Sequence, residues 1–450
     1  MKAKQYVPPW KQPYIIAVAG SSGSGKTSVA QLIIKQLNVP WTVLLSMDNF
    51  YKTLTPEESA AAHRNEHDFD TPTAYDTDDL VKCLRDIKAG HRVNIPTYSF
   101  VEHARTDKTV SIYGANIVIL EGIYVLYDHP GLLDLIDMKI FVDTDLDTCL
   151  ARRLTRDMLH RGREMSGIIN QWRKTVKPNF ERYVRPTMAN ADVLIPRGRD
   201  NVVAIDMVAQ HITKILTDKS ERHLADLCSL IDDDELAAEE ATWNKQIHEL
   251  KQSPQLIGIH TILCSDDTKR ADFVFYFDRI ATLLVENALQ HSKFENINVE
   301  TPTGNTFEGV RRLGIDNTCA VAIIRAGECF DRSVKRTIPS VRMGKLLIQS
   351  DISTGEPKLH HLNLPSRISE PDAFVLLCDA QLSSGAAAIM ATTVLVDHGV
   401  KEENIVFVCY LASKRGLQRY LNAYPNVHTV VGKILDGSHG RFIDTKYYGT

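Results

Sequence analysis

The 450-residue sequence contains no C-x-x-C pair, no unbroken apolar run of the roughly 18 residues that a bilayer requires, and no large excess of either charge. Its eight cysteines, at positions 83, 149, 228, 264, 319, 329, 378 and 409, are too scattered for a zinc ribbon or a disulfide framework. They read as reduced thiols in a cytosolic protein. The opening residues Met1-Lys2-Ala3-Lys4-Gln5-Tyr6 lack the apolar core of a secretory signal. The compartment expected is therefore the cytoplasm, with the nucleus left open. Lys plus Arg is 52 against 56 for Asp plus Glu, a net charge of −4, which supplies no basic field for nucleic acid or a membrane. Internal repeats and low-complexity tracts are also missing. What remains is ordinary globular material, 44% apolar and 24% charged, long enough for two or three domains.

Against this background one segment stands out. Gly20-Ser21-Ser22-Gly23-Ser24-Gly25-Lys26-Thr27 follows the apolar run Tyr14–Ala19 and precedes a helical pattern at Val29, Leu32, Ile33 and Leu37. Strand, glycine-rich loop and helix together make G-x-x-x-x-G-K-[ST] a phosphate-binding signature. The glycines let successive N–H groups turn inward on an anion, and the helix N-terminus adds partial positive charge. Lys26 is expected to reach the β- and γ-phosphates, and the Thr27 hydroxyl to sit on Mg²⁺.

Residues 14–216 alternate strand and helix. Trp41–Ser46, Ile117–Leu120, Lys139–Val142 and Asp192–Ile195 read as buried strands, predicting a parallel sheet covered on both faces. Residues 147–161 read as a helix carrying Arg152, Arg153, Arg156 and Arg161, with Arg152 expected to face solvent. Strand 41–46 runs into Asp48, at the carboxyl edge of the sheet where ligands of open α/β folds bind. An Asp there can act as base on an attacking hydroxyl, or merely cap the following turn. Glu121 ends another apolar strand, suited to a Mg²⁺ shell or to capping a helix. Residues 220–250, with the acidic run Ile231–Glu240, carry no strand signal and read as a partly helical connector with a solvated charged face. A second alternating unit then begins, with strands at Ala320–Ile324, Ala373–Cys378 and Asn404–Val408.

Several further segments are weak singly. They are Asp68-Phe69-Asp70, Tyr98-Ser99-Phe100-Val101-Glu102-His103, Glu121-Gly122-Ile123, Arg161-Gly162-Arg163, Val176-Lys177-Pro178 and Ile195-Pro196-Arg197-Gly198. Together with Asp48 and Tyr51, in this order and spacing, they resemble the uridine–cytidine kinase family over residues 14–216. The resemblance implies a P-loop kinase fold with a lid. Asp48 would be the general base on a nucleoside 5′-hydroxyl, with Lys26, Arg156 and Arg161 on the transferring phosphoryl group. Asp70, Arg153, Arg163 and Gln171 would hold the ribose, Tyr98 and His103 would read the pyrimidine edge, and Tyr51 would line the nucleoside pocket. Asp200 matches a nucleotide-binding position. Thr27 and Glu121 are the metal candidates. The implied ligands are uridine, cytidine, ATP (with GTP left open as donor) and Mg²⁺. An oligomer, often a tetramer, and feedback by CTP or UTP are further implications.

In the second unit Asp379-Ala380-Gln381-Leu382-Ser383-Ser384-Gly385 joins a strand to a helix, a place where an acid can take ribose hydroxyls and a Ser/Gly loop can cradle a 5′-phosphate. With Arg325-Ala326-Gly327, Ile338–Gly344 and the terminal Tyr448-Gly449-Thr450 it resembles uracil phosphoribosyltransferase, a type I phosphoribosyltransferase fold, over about residues 254–450. Asp379, Ser383, Ser384, Gly385 and Arg325 are the candidate phosphoribosyl residues. The loop departs from the family's Asp-Pro-Met-Leu-Ala-Thr-Gly. The base-holding Pro-Gly-Leu-Gly-Asp-Ala-Gly-Asp-Arg is replaced by Leu435-Asp436-Gly437-Ser438-His439-Gly440-Arg441-Phe442-Ile443-Asp444.

The sequence therefore predicts an N-terminal extension 1–13, a kinase domain 14–217, an acidic linker 218–253 and a phosphoribosyltransferase-like domain 254–450. The reading is a pyrimidine ribonucleoside kinase with an inactive or regulatory second domain. Rivals are a bifunctional kinase and uracil phosphoribosyltransferase, a kinase of another small alcohol, and a non-catalytic nucleotide sensor.

Overall fold

A computed structural model describes residues 6–39, 41–55, 57–58, 67–100, 102, 104–231, 245–350, 356–436 and 440–449. The chain divides into two compact units, one of residues 9–219 and one formed by residues 220–450 with the N-terminal residues up to Pro8.

Among the described residues the first unit has seven strands: β1 Tyr14–Gly20, β2 Thr42–Ser46, β3 Val93–Ser99, β4 Ala104–Ile112, β5 Ile117–Glu121, β6 Met138–Asp143 and β7 Val193–Pro196. Five make a sheet in the order β2-β5-β1-β6-β7, every pairing parallel. The continuous apolar runs are explained by this layering. Ile15, Ala17 and Ala19 face one core with Leu80 and Leu84 of helix Thr77–Lys88, while Ile16 and Val18 face another with Val29 and Ile33 of helix Lys26–Leu37. The arginine-bearing segment is a helix over Leu146–Arg161. β3 and β4 form an antiparallel pair outside the main sheet. Their alternation is too broken by polar residues to stand out in the sequence.

The second unit holds a sheet in which strand Thr318–Ile324 lies between Arg342–Ser350 and Phe374–Cys378, followed outward by Ile405–Ser413, His428–Leu435 and the edge strand Ile247–Glu249. All these pairings are parallel, and antiparallel Pro357–Asn363 closes the other edge. Ile247–Glu249 falls where the sequence shows no strand signal, because three residues are too few to display a period. Helix Val202–Ser229 runs through the start of the expected linker, and residues 232–244 of the acidic run lie outside the described residues. Tyr6 is tied into this unit by a buried polar chain. Its hydroxyl meets His223 Nε2 at 2.7 Å, His223 Nδ1 meets Glu356 Oε1 at 2.7 Å, and Ser220 Oγ donates to Glu356 Oε2 at 2.6 Å.

Candidate active site

The glycine loop is strained in the way an anion cradle requires. Gly20 and Gly23 have φ of 147° and 84°, and a Cβ on either would lie 2.5 Å from the Val142 carbonyl oxygen or 2.4 Å from that of Cys149. Lys26 is buried, and its Nζ donates to the Ser21 carbonyl at 3.1 Å. Burial pulls the Lys26 ammonium below its ordinary range, and the nearby Glu121 and Asp48 charges oppose that pull. Ser24 Oγ is buried without a hydrogen-bond partner. A phosphate chain supplies what this loop lacks, namely anionic oxygens for a buried ammonium and an orphaned hydroxyl. The donor set therefore fits a nucleoside triphosphate.

The loop opens into a cavity of about 360 Å³ lined by Ser22, Lys26, Thr27, Asp48, Asp70 and Glu121 at its acidic and phosphate end. Asp48 stands on the short turn Met47–Phe50 after β2, so the end of a buried strand fixes its position. Burial, then the neighbouring Glu121 charge, raises the Asp48 carboxyl above its usual range, while Lys26, Arg161 and Arg156 pull it back. Glu121 Oε1 accepts from Ser46 Oγ at 2.8 Å, which orients the carboxylate at the end of β5. Thr27, Ser46 and Glu121 are the oxygen ligands this wall offers to a hard cation.

The opposite wall is aromatic. Tyr51 stacks on Tyr75 with centroids 4.2 Å apart and meets Tyr98 at 5.0 Å and Phe69 at 5.9 Å. The Tyr75 hydroxyl lies within hydrogen-bond distance of the Tyr51 hydroxyl and of Asp48 Oδ1, the latter at 3.4 Å. Burial and the Asp48 charge push the Tyr98 phenol up to about 12, so it stays protonated as a donor. Tyr98 reaches the cavity from β3, and Arg105 on β4 fixes that pair by donating to the Tyr51 carbonyl at 2.9 Å. His103 lies outside the described residues. Asp70 lines the cavity and accepts from Thr175 Oγ1 at 3.3 Å, and burial raises its carboxyl although Arg153 opposes this.

The third wall is cationic and has an organiser that the sequence did not single out. Asp157, fully buried, lies 2.8 Å from Arg156 Nε, 3.3 Å from Arg163 Nη1, 3.6 Å from Arg161 Nη1 and 3.7 Å from Arg153 Nε. Burial alone would raise this carboxyl, but Arg156, Arg153 and Arg161 together hold it below the ordinary range. Gln171 Oε1 accepts from Arg153 at 3.4 Å and Arg163 at 3.3 Å, joining two expected sugar-side residues. Arg153 Nη1 also donates to Ser22 Oγ at 2.9 Å, placing this guanidinium beside the phosphate loop. Arg161 lies 3.8 Å over the Phe100 ring, and burial with the Arg156 charge pulls it down to about 10.

One expectation changes. Arg152 does not simply face solvent. It reaches the Ser24 carbonyl at 3.4 Å and pairs with Asp200 at 3.2 Å, because the helix lies along the phosphate loop. Asp200 is exposed on the turn Gly198–Asp200 and is absent from the cavity lining, and its place beside the loop comes through Arg152 and the packing of Gly198 on Ser24. Tyr75, Ser46, Thr175 and Asp157 were missed. Tyr75, Ser46 and Thr175 hold groups 27 to 105 positions away, which leaves no local pattern, whereas Asp157 lies within six positions of its arginines and only its burial marks it as their shared counter-ion.

In the second unit Asp379 is buried and its Oδ2 accepts from Arg441 Nη2 at 2.8 Å. Arg441 also donates to the Gln381 carbonyl at 3.0 Å, Gln381 Nε2 to the Gly440 carbonyl at 2.9 Å, and Phe442 N to Gln381 Oε1 at 3.2 Å. Arg419 holds the Ser384 carbonyl at 2.7 Å, Gly385 packs against Gly416, and Arg325 pairs with Asp444 at 3.2 Å. The cavity lined by Gln381, Leu382, Ser383 and Leu411 is only about 10 Å³, at the lower limit for one water. Asp379 Oδ1 and Ser383 Oγ remain buried without partners.

A parallel sheet ending in a glycine cradle, with a carboxylate and clustered guanidiniums facing one cavity, defines a phosphate-loop kinase. The phosphoribulokinase/uridine kinase family matches residues 15–204, and uracil phosphoribosyltransferase matches residues 250–439. The uridine kinase of Saccharomyces cerevisiae is 48% identical over all of this chain and 91% of its own length. Uridine-cytidine kinase-like 1 of Mus musculus is 42% identical over 98% of this chain and 82% of its own length. The uridine kinase of Schizosaccharomyces pombe is 40% identical over 99% and 97%. The chain belongs to the uridine kinase family, whose members are phosphotransferases with an alcohol acceptor.

Proposed function

We propose that this chain transfers the γ-phosphoryl group of ATP to the 5′-hydroxyl of uridine and cytidine, giving UMP or CMP and ADP. The observation that carries the reading is Asp48. Its raised carboxyl shares one cavity with Lys26 of the phosphate loop and with the Asp157-held arginines. As the acceptor oxygen bonds to phosphorus, Asp48 takes its proton, and raised basicity matches that task near neutral pH. Arg156, Arg161 and Arg163 face the charge that spreads over the equatorial oxygens. Mg²⁺, when bound, neutralises the phosphate chain, and Thr27, Ser46 and Glu121 are the residues that would hold it. Asp70 takes the ribose hydroxyls. Tyr51, Tyr75, Tyr98 and Phe69 pack into an aromatic wall of the cavity, the surface against which a pyrimidine ring would lie.

The second unit, in this reading, is not a working transferase, because Arg441 pairs with Asp379, the acid that would take the ribose hydroxyls, and the base-holding segment of the transferases is replaced by Leu435–Asp444. A two-armed substrate panel tests both parts. Uridine and cytidine with ATP should give monophosphates, whereas uracil with phosphoribosyl diphosphate should give none. Turnover of ribulose 5-phosphate in place of nucleosides would overturn the substrate assignment, and UMP from uracil would overturn the second part.

A further inference from the structure

Three imidazoles converge at the edge of the second unit's sheet. Val430 is registered opposite His248 on the edge strand, so alternation puts His248 on the same face as His428 and Val430. That face is covered by helix Arg270–Leu289, whose Leu284 and Ala288 share a core with Val430. His291, two residues beyond the helix, is thereby carried onto the two strand histidines. Ring centroids are 4.0 Å apart for His248 and His291, and 4.6 Å for His291 and His428. His248 Nε2 lies 3.2 Å from His428 Nδ1, and one nitrogen from each ring lies within 4.8 Å of the other two.

This cluster is oddly provisioned for a structural one. Among the described residues none of the three rings has a carboxylate or carbonyl partner, and their one hydrogen bond is to each other. That single contact uses two of the six ring nitrogens, and the His291 ring, stacked on both of the others, has no hydrogen-bond partner among the described residues. A cation resolves that mismatch.

We propose that His248, His291 and His428 form a site for a divalent first-row metal ion, zinc above all, with a fourth position open to water. All-imidazole ligation with neither thiolate nor carboxylate suits zinc, and also nickel or copper, but not magnesium or calcium. A tetrahedral zinc with Zn–N bonds of about 2.05 Å has nitrogens about 3.3 Å apart. The His248–His428 pair already has that separation. The other two edges must close by at most about 1.5 Å, within reach of ring rotations at half-buried side chains. The site sits where strand His428–Leu435 begins, whereas the Asp379 loop follows the end of the parallel strand Phe374–Cys378. It is therefore a clip between the edge strand and a helix end, independent of the phosphoribosyl loop.

The test uses the untagged full-length chain, stripped with EDTA, dialysed, and titrated with ZnCl₂ in excess MgCl₂. One equivalent should bind with a micromolar or tighter Kd, and about a hundredfold excess over Kd should raise the melting temperature by about 5–10 °C. His291→Ala and His248→Asn should each weaken binding at least tenfold while leaving phosphorylation of uridine unchanged. Should a variant fail to fold, cobalt added to the stripped wild-type chain should develop the visible absorption of a tetrahedral nitrogen site. A wild-type chain that binds no zinc at about 100 µM, or folded variants that bind it as tightly as wild type, would overturn the assignment.

Discussion

Asp157→Asn isolates the charge that assembles the cationic wall. The side chain is fully buried and has four guanidiniums within 3.7 Å. Asparagine keeps the shape and one acceptor oxygen but leaves four like charges without their counter-ion. Removing one partner from a buried ion-pair cluster costs about 3–5 kcal/mol, and the retained acceptor argues for about 3 kcal/mol. A unit of about 210 residues should then melt about 6–12 °C lower. Activity should suffer separately, because guanidiniums displaced by about 1 Å lower kcat/KM about 100-fold. A third consequence is specific to charge. ATP brings phosphate oxygens to the same arginines, so ATP with Mg²⁺ should raise the melting temperature of Asp157→Asn more than that of wild type. The assays are thermal melting with and without nucleotide, and steady-state kinetics with uridine. A variant within 2 °C and threefold of wild type would refute the organising role. Equal nucleotide shifts in both proteins would show that packing, not charge, explains the loss.

Further outcomes follow from the same geometry. Asp48→Asn should lower kcat by about 10²–10⁴-fold while ATP still binds within threefold, as read by isothermal titration. Because burial raises the Asp48 carboxyl, the acid limb of kcat/KM should lie above the ordinary carboxylate value of about 3.9, with activity falling as pH drops through it. A limb at or below that value contradicts the base assignment. Asp157 gives the opposite sign in stability. Its folded value is lowered, so its contribution is complete above the unfolded value near 3.9 and disappears as pH falls through the folded one. Acid melts of wild type and Asp157→Asn should therefore converge at low pH. 2′-Deoxyuridine should be at least about tenfold poorer than uridine in kcat/KM, since the half-buried Asp70 loses a donor, and Asp70→Asn should narrow that ratio. Of eight thiols, Cys228 and Cys264 are exposed, so a thiol reagent should label those two quickly and the rest only on unfolding.

Local sequence was a good guide wherever backbone chemistry decides the outcome. The glycine cradle, the apolar strands and the helix over Leu146–Arg161 each owe their form to neighbours within a few positions. Asp48 and Glu121 could be placed because they end such strands. Arg152 was misjudged for the reverse reason. Its helix lies along the phosphate loop, and only packing brings it to Ser24, 128 positions away.

The sequence alone settled that there is an anion cradle, a carboxylate at the sheet edge and a supply of arginines, because these are set by residue type and short-range spacing. Tertiary structure decided which arginines share one buried counter-ion, that Tyr75 couples Tyr51 to Asp48, and that Arg441 occupies the second unit's acid. It also drew together three histidines separated by 180 residues. Such pairings depend on burial or on the meeting of distant elements, and a linear pattern carries neither.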